Sequence, residues 1–254
     1  MREETSIYYE RADPAPSLTD FVECFWTVWN RSGADREFTI LPDGYFDVLL
    51  RSHHPGSHAR AMTGLWTRPV ACLVPAGARA LAVSFKALAA EYVFGNPIRF
   101  LLDEEGRLPE GSEGLFPVEA VDFQSFVLEV SRRLAARLAG KDIDERKSAL
   151  FRLLYTSQGT LSVGEMAASV FWHPRQINRY FNKWFGIPLK SFASILRYRA
   201  SFDRIHDHDL SGNLSYADQA HFIREVKRYS GVTPGELADN KKDRFIQLET
   251  LHRK

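Results

Sequence analysis

The chain has 254 residues, 44% of them hydrophobic, a length that suggests two domains and a composition that supports packed cores. Its formal net charge of +1 hides an asymmetry: 15 Lys/Arg stand against 21 Asp/Glu through Asp144, and 18 against 11 from Glu145 onward, so only the second half favours phosphate. Cys24 and Cys72 are too few for a disulfide framework, no apolar run can span a bilayer, and residues 1–20 lack a signal-peptide core, which together predict a cytoplasmic protein with no membrane partner.

Residues 21–29 alternate and are rich in aromatics, and the runs 38–41, 46–50, 61–66, 70–74 and 80–85 also read as strands. Pro42-Asp43-Gly44, His54-Pro55-Gly56 and Pro75-Ala76-Gly77 punctuate them. Short strands so separated predict a small antiparallel barrel or sandwich over residues 1–115. His53, His54 and His58 invite a metal reading. They share their Pro/Gly loop with Ser and Arg, and no carboxylate follows at a completing distance, so a solvated loop is expected, with no metal and no cofactor. Trp26, Trp29 and Trp66 could line an apolar pocket, although aromatic strand residues more often fill a core.

From about Ala87 the pattern turns helical. Within 121–138, Val127, Val130, Leu134 and Leu138 form one stripe, with Arg132, Arg133 and Arg137 off it. Such a stripe packs on its own domain or on a partner subunit. Gly140-Lys141-Asp142 breaks the helix and is the expected hinge between domains, with 116–143 a helical linker, and a further helix is expected over 144–156.

Ser162 and Glu165 form a capping box, and Met166, Ala167 and Val170 give the helix that follows an apolar side. His173 can cap a second helix, Pro174 fits its first position, and Gly186 and Pro188 end it. At about 100° per residue, Ile177, Tyr180, Phe181, Trp184 and Phe185 share one side and can pack on the first helix. The opposite arc carries Arg175, Gln176, Asn178, Arg179, Asn182 and Lys183. Arginine forks onto guanine acceptors and a carboxamide pairs with adenine, so these are base-reading types. An ordinary amphipathic helix with a solvated face has the same pattern. What separates the two is a second copy.

A shift of 45 positions lays Asp218 to Gly231 on His173 to Gly186. Ile177 then meets Phe222, Arg179 meets Arg224, Phe181 meets Val226, Trp184 meets Tyr229 and Gly186 meets Gly231, while the polar arc becomes His221, Arg224, Lys227 and Arg228. Repeats that keep the same buried and polar sides imply two similar units on one scaffold.

HPRQINRYFNKWFGIP, LRYRASFDRI and DQAHFIREVKRYSGVTP, in that order and spacing, resemble the DNA-binding domain of the AraC/XylS transcription regulators, two helix-turn-helix units joined by a long helix. The resemblance covers roughly the last 100 residues. It implies an α+β two-domain chain: a β-rich, cupin-like sensing half, and an all-α double helix-turn-helix half over 144–254 that binds double-stranded DNA. A small-molecule effector and a homodimer are the further partners it suggests. By position, the family's base-reading residues fall on Arg175, Asn178 and Arg179 in unit one, and on Gln219, Ile223 and Arg224 in unit two. Ile223 could touch only a thymine methyl. In the first half, ILPDGYFDVLL resembles the start of one uncharacterised group of sensing domains.

Two departures stand out. The turn position usually held by glycine is Phe171, where φ > 0 would strain a bulky residue. The stretch 207–215 has Gly212, Asn213 and too few apolar residues for a first helix, so unit two reads as truncated and its recognition helix as held mostly by the joining helix. After Asp239 the tail is charged around Phe245, Ile246 and Leu248, and either folds back or stays mobile. The rival reading is an enzyme or small-molecule binder built on the β-rich half with a helical adaptor. No nucleophile–base pair, phosphate-cradling loop or paired-carboxylate site is legible, so no catalysis is expected.

Overall fold

The computed structural model describes residues 7–54, 57–117, 122–209, 216–240 and 244–250, the side chains of 53, 54, 57, 58, 249 and 250 excepted. Its strands are β1 (Ile7–Ala12), β2 (Val22–Asn30), β3 (Arg36–Ile40), β4 (Phe46–His54), β5 (Ser57–Thr63), β6 (Val70–Val74), β7 (Arg79–Phe85) and β8 (Glu105–Gly106). A six-stranded sheet runs β1-β2-β7-β4-β5-β8, and β3 pairs with β6 in a second, smaller sheet, every pairing antiparallel. All six expected strands are present. The short β1 and β8 lie at the two edges of the larger sheet, where single-sequence patterning is weakest.

Alternation sorts the strand residues onto two faces. Along β4, Phe46, Val48 and Leu50 join the core that reaches the helices. Asp47, Leu49 and Arg51, on the other face, line a cavity shared with β3 and β6. A bulge in β2, where the register slips between Val22 and Cys24, adds Glu23 to that same lining.

The helical pattern expected from Ala87 is realised only as single turns at Ala90–Phe94, Ile98–Leu101 and Glu113–Leu115. Gly95, Pro97, Pro109 and Gly111 interrupt the stretch, and among the described residues the first α-helix is α1 (Phe123–Leu138). Asp122 caps α1 by accepting the Ser125 N–H at 2.8 Å. The α1 stripe is spent inside the chain. Of the expected stripe, Val130 and Leu134 are buried and Val127 and Leu138 half-buried against the core, and Phe126 beside them lies edge-on to Phe25 at 6.4 Å, so these side chains pack on their own chain. Val121 lies outside the described residues.

The remaining helices are α2 (Glu145–Thr156), α3 (Val163–Ser169), α4 (Pro174–Phe185), α5 (Leu189–Arg199), α6 (Phe202–His206), α7 (Gln219–Ser230), α8 (Pro234–Asp239) and α9 (Ile246–Thr250). Phe151 of α2 is their hub, its ring 6.3, 5.5 and 5.8 Å from those of Tyr180, Phe181 and Phe185. The buried apolar side chains form one continuous cluster through both halves. Polar ties cross the same seam. Tyr155 stacks on Tyr45 at 5.5 Å, accepts the Ala87 N–H at 2.9 Å and donates to the Gly44 carbonyl at 3.1 Å. Glu91 accepts from Lys147 Nζ at 2.6 Å and from the Tyr180 hydroxyl at 2.8 Å. Arg152 pairs with Asp20, and Arg199 with Glu23.

The tail folds back. Phe245 bridges to Thr39 on β3, and the Gln247 carboxamide bonds both the N–H and the carbonyl of Leu41, at 3.1 and 3.0 Å. Phe245 and Leu248 are buried. Among the described residues no helix is long and apolar enough to cross a membrane.

Candidate nucleic-acid interface and ligand cavity

Residues 162–186 fold as a helix-turn-helix. Ser162 and Glu165 make the reciprocal capping box, His173 Nδ1 accepts the Arg175 N–H at 3.2 Å, and Pro174 occupies the first turn of α4. The turn passes through Phe171 at φ 52°, with the side chain 92% exposed. Nothing packs on that ring to repay a left-handed backbone, which costs an L-residue about 1–2 kcal/mol. Phe171→Gly is therefore expected to stabilise the chain by about 0.5–1 kcal/mol, the unfolded-state entropy of glycine offsetting part of the gain. A higher urea midpoint at unchanged slope is the result to look for, and a lower midpoint would show that the ring contributes more than its backbone costs.

The repeat is geometrically close. Helices α4 and α7 are each 12 residues long, and each ends on a left-handed glycine, Gly186 or Gly231, both at φ 77°. Ile177, Tyr180, Phe181 and Phe185 of α4 are buried, as are Phe222, Val226 and Tyr229 of α7. Facing outward on α4 are Arg175, Gln176, Arg179, Asn182 and Lys183, all exposed. On α7, Gln219, Ile223, Arg224, Lys227 and Arg228 are exposed, and His221 is half-buried with its ring edge-on to Tyr216 at 5.4 Å.

Asn178 stands apart from the other α4 residues. It is half-buried, and its Oδ1 accepts the Leu189 N–H at 3.1 Å, so its carboxamide oxygen is spent on joining α4 to α5. Asn182 Nδ2 donates to the Asn178 carbonyl at 2.8 Å, a bond within α4.

The two units differ in backing. Between α6 and α7, residues 207–209 and 216–218 are not helical and 210–215 lie outside the described residues, so α7 has no described counterpart of α3. It packs instead on α5 and α8. Asp218 caps it, Oδ1 accepting the His221 N–H at 2.6 Å.

The β-rich half holds a cavity of about 500 Å³ between its two sheets. The aromatics Tyr9, Trp26, Phe38, Tyr45 and Trp66 line it, and Arg199, Phe202, Ile246 and Gln247 close it from the helical half. Trp26 and Trp66 thus belong to a pocket wall. Trp29 does not: it is 39% exposed on the outside, with the Arg31 guanidinium 4.5 Å above its ring. Side chains of His53, His54 and His58 lie outside the described residues, and no group of metal-ligating side chains occurs among the described ones.

Two carboxyl groups in the wall were not singled out by sequence patterning. Asp47 accepts from Ser84 Oγ at 2.5 Å, and Ser84 in turn accepts from Trp26 Nε1 at 3.0 Å. Asp43 Oδ1 accepts the Tyr45 N–H at 3.0 Å. Burial, with the nearby charge of Asp47, pushes Asp43 up to about 7, and burial pushes Asp47 up to about 6. The available signal was charge at alternate strand positions: Asp47 and Arg51 flank Leu49 on one face while Phe46, Val48 and Leu50 load the other. A strand apolar on one face and charged on the other can still be covered on both.

A family described as a domain of unknown function, DUF6597, matches residues 10–106. No curated protein matches the chain in sequence. Among solved structures, ToxT from Vibrio cholerae O395 aligns at 9% identity and TM-score 0.42, covering 92% of this chain and 98% of that one. ToxT from the same strain bound to (E)-4-(8-methylnaphthalen-1-yl)but-3-enoic acid gives 11%, 0.42, 92% and 98%. ToxT from Vibrio cholerae strain SCE256 with bound unsaturated fatty acid gives 11%, 0.38, 94% and 97%. A likeness at that level says nothing of chemistry.

Proposed function

We propose that the chain is a sequence-specific regulator of transcription of the AraC/XylS type, which binds double-stranded DNA through α4 and α7 and carries a small-molecule sensor in its β-rich half. Residues 1–115 are the sensor, 116–143 the connection and 144–254 the reading half. What carries this reading is the repeat: two helices of equal length, buried and exposed on corresponding sides, with identical glycine stops. Helix-turn-helix readers place such a helix in the major groove, and two of them on one scaffold suit successive grooves about 34 Å apart. Supporting it further, the exposed arc of α4 is left uncovered by the β-rich half even though the buried side of the helix packs against that half through Tyr180 and Glu91.

Phosphate contacts supply affinity and orientation, and base contacts supply sequence preference. Arg179 and Arg224 occupy equivalent exposed positions and carry the main base contacts. Unit one enters the groove preorganised by its capping box and aromatic backing. Unit two, whose stretch 207–215 has too few apolar residues for a first helix, spends more ordering entropy on binding, so less of its contact energy appears as affinity.

Arg179→Ala is accordingly expected to cost about 1–3 kcal/mol and to relax preference in one half of the site. The loss for Arg224→Ala should be smaller. Both variants are titrated against one operator, selected from genomic fragments by the purified chain, and against its single-base variants. Equal affinity of wild type and Arg179→Ala for every variant would sink the assignment of α4 as a reading helix.

A further inference from the structure

We propose that the cavity of the β-rich half takes a compact organic cation, an aryl or alkyl amine, seated on the carboxyl groups of Asp43 and Asp47. This rests on the reading of that half as a small-molecule sensor and adds the chemical class of what it senses.

The first support is shape. A cavity of about 500 Å³ lies within the range that holds drug-sized molecules, and its lining is mainly aromatic and aliphatic with a few convergent polar groups. Trp26 and Trp66 bring indole rings to the wall, and such rings attract an alkylammonium through their quadrupoles.

The second is the distribution of charge around it. Three of the arginines in the wall are already occupied. Arg51 forms a fork with Glu105, both bonds at 2.5 Å. Arg11 lies 3.5 Å from Asp13 and 3.6 Å from Glu23. Arg199 pairs with Glu23 at 3.4 Å and lies over the Tyr45 ring at 4.9 Å. The fourth, Arg79, is close enough to Asp122 to lower its carboxyl. The two aspartates differ from these. Among the described residues neither Asp43 nor Asp47 has a basic side chain within ion-pair distance, and Asp43 Oδ2 has no hydrogen-bond donor, although Arg199 is close enough to offset part of the rise at Asp43. Both are half-buried in the cavity wall, and loss of solvent there holds both carboxyls well above the usual range. A buried acid without a counter-charge is costly. An ammonium placed beside them would offset that cost, whereas a carboxylate ligand would find three of the four guanidinium groups already paired and two acids facing it.

The third is how firmly the acids are held. Asp43 sits in the turn of ILPDGYFDVLL, which positive φ at Gly44 makes possible. That turn is pinned by the Tyr155 hydroxyl on the Gly44 carbonyl and by Leu196 packed against Gly44. Asp47 is fixed through Ser84 and Trp26, and its own N–H donates to Thr63 Oγ1 at 2.8 Å. Carboxylates preorganised in this way bind a cation without first being ordered.

The test uses the full chain without DNA. Isothermal calorimetry is run with phenyl, indolyl and naphthyl probes, each as the 2-arylethylamine, the matching alcohol and the 3-arylpropionate. At least one amine should bind about tenfold more tightly than its alcohol, the size of a charge-assisted over a neutral hydrogen bond. Asp47→Asn and Asp43→Asn should remove that advantage and leave the alcohol's affinity as it was. Circular dichroism of both variants confirms folding, and either one suffices for the comparison. Alcohols or propionates that bind as well as the amines, an advantage that survives both substitutions, or no amine binding at millimolar concentration would each overturn the proposal. A chain that binds DNA but no amine sinks only this inference, and one that binds amines but no DNA sinks only the regulator reading.

Discussion

Raising monovalent salt from about 50 to about 200 mM is expected to weaken DNA binding by the full chain roughly a thousandfold. The exposed cations of the reading half include Arg175, Arg179, Lys183 and Lys190 around unit one, and Arg224, Lys227 and Arg228 on α7. If roughly six of them neutralise phosphates, counterion release gives a slope of log affinity against log salt near −5. The first half works the other way, since it carries the acidic balance. A slope of that size therefore places the phosphates against the second half. Fluorescence anisotropy of a labelled duplex across a salt series measures it directly, and a flat response would mean that the basic arcs of α4 and α7 are merely solvated faces.

Phe151→Ala is expected to cost about 3–5 kcal/mol of stability, the range for removing a buried aromatic ring. The ring is 2% exposed and stands among Tyr180, Phe181 and Phe185. Its loss leaves a cavity between α2 and α4, which a rigid aromatic cluster cannot close. Since α2 also carries Lys147, Arg152 and Tyr155, the side chains that tie the halves together, the defect should lower the stability of both. Urea unfolding followed by far-ultraviolet circular dichroism should show one transition, shifted to lower denaturant. Leu128→Ala, at a site 74% exposed, serves as the control and should stay within about 0.5 kcal/mol of wild type. Two separated transitions in the wild-type chain, or a cost below about 1 kcal/mol for Phe151→Ala, would contradict a shared core.

Much of this architecture is legible in the amino-acid order because local chemistry decides it. Ser162 with Glu165, Pro174, Gly186 and Gly231 are caps and stops whose partners lie within a few residues, and the helices begin and end where they direct. The strands β2 to β7 follow from alternation between Pro/Gly turns. Legibility fails where the deciding partner is remote. β1 and β8 exist because β2 and β5 offer them open edges. The stretch after Ala87 has helical composition, but its prolines and glycines cut it into single turns. Nothing near Leu134 in sequence says whether its stripe meets this chain or another. For the candidate interface, the outward arc could be read from periodicity. The engagement of Asn178 by Leu189 could not, since it depends on how α5 leaves the turn. The charged part of the cavity wall was hidden for the same reason, since Arg199 of α5 reaches Asp43 and Asp47 only through tertiary packing.

The seam between the halves also bears on how such a chain can diverge. Glu91 answers both Lys147 and Tyr180, Asp20 answers Arg152, and Glu23 answers Arg199. Exchange of the first half for an unrelated domain would strand each of these cations and the Tyr180 phenol, and would bare the apolar surface beneath them. A first half exchanged whole would therefore hold the second only if its seam residues were replaced with it.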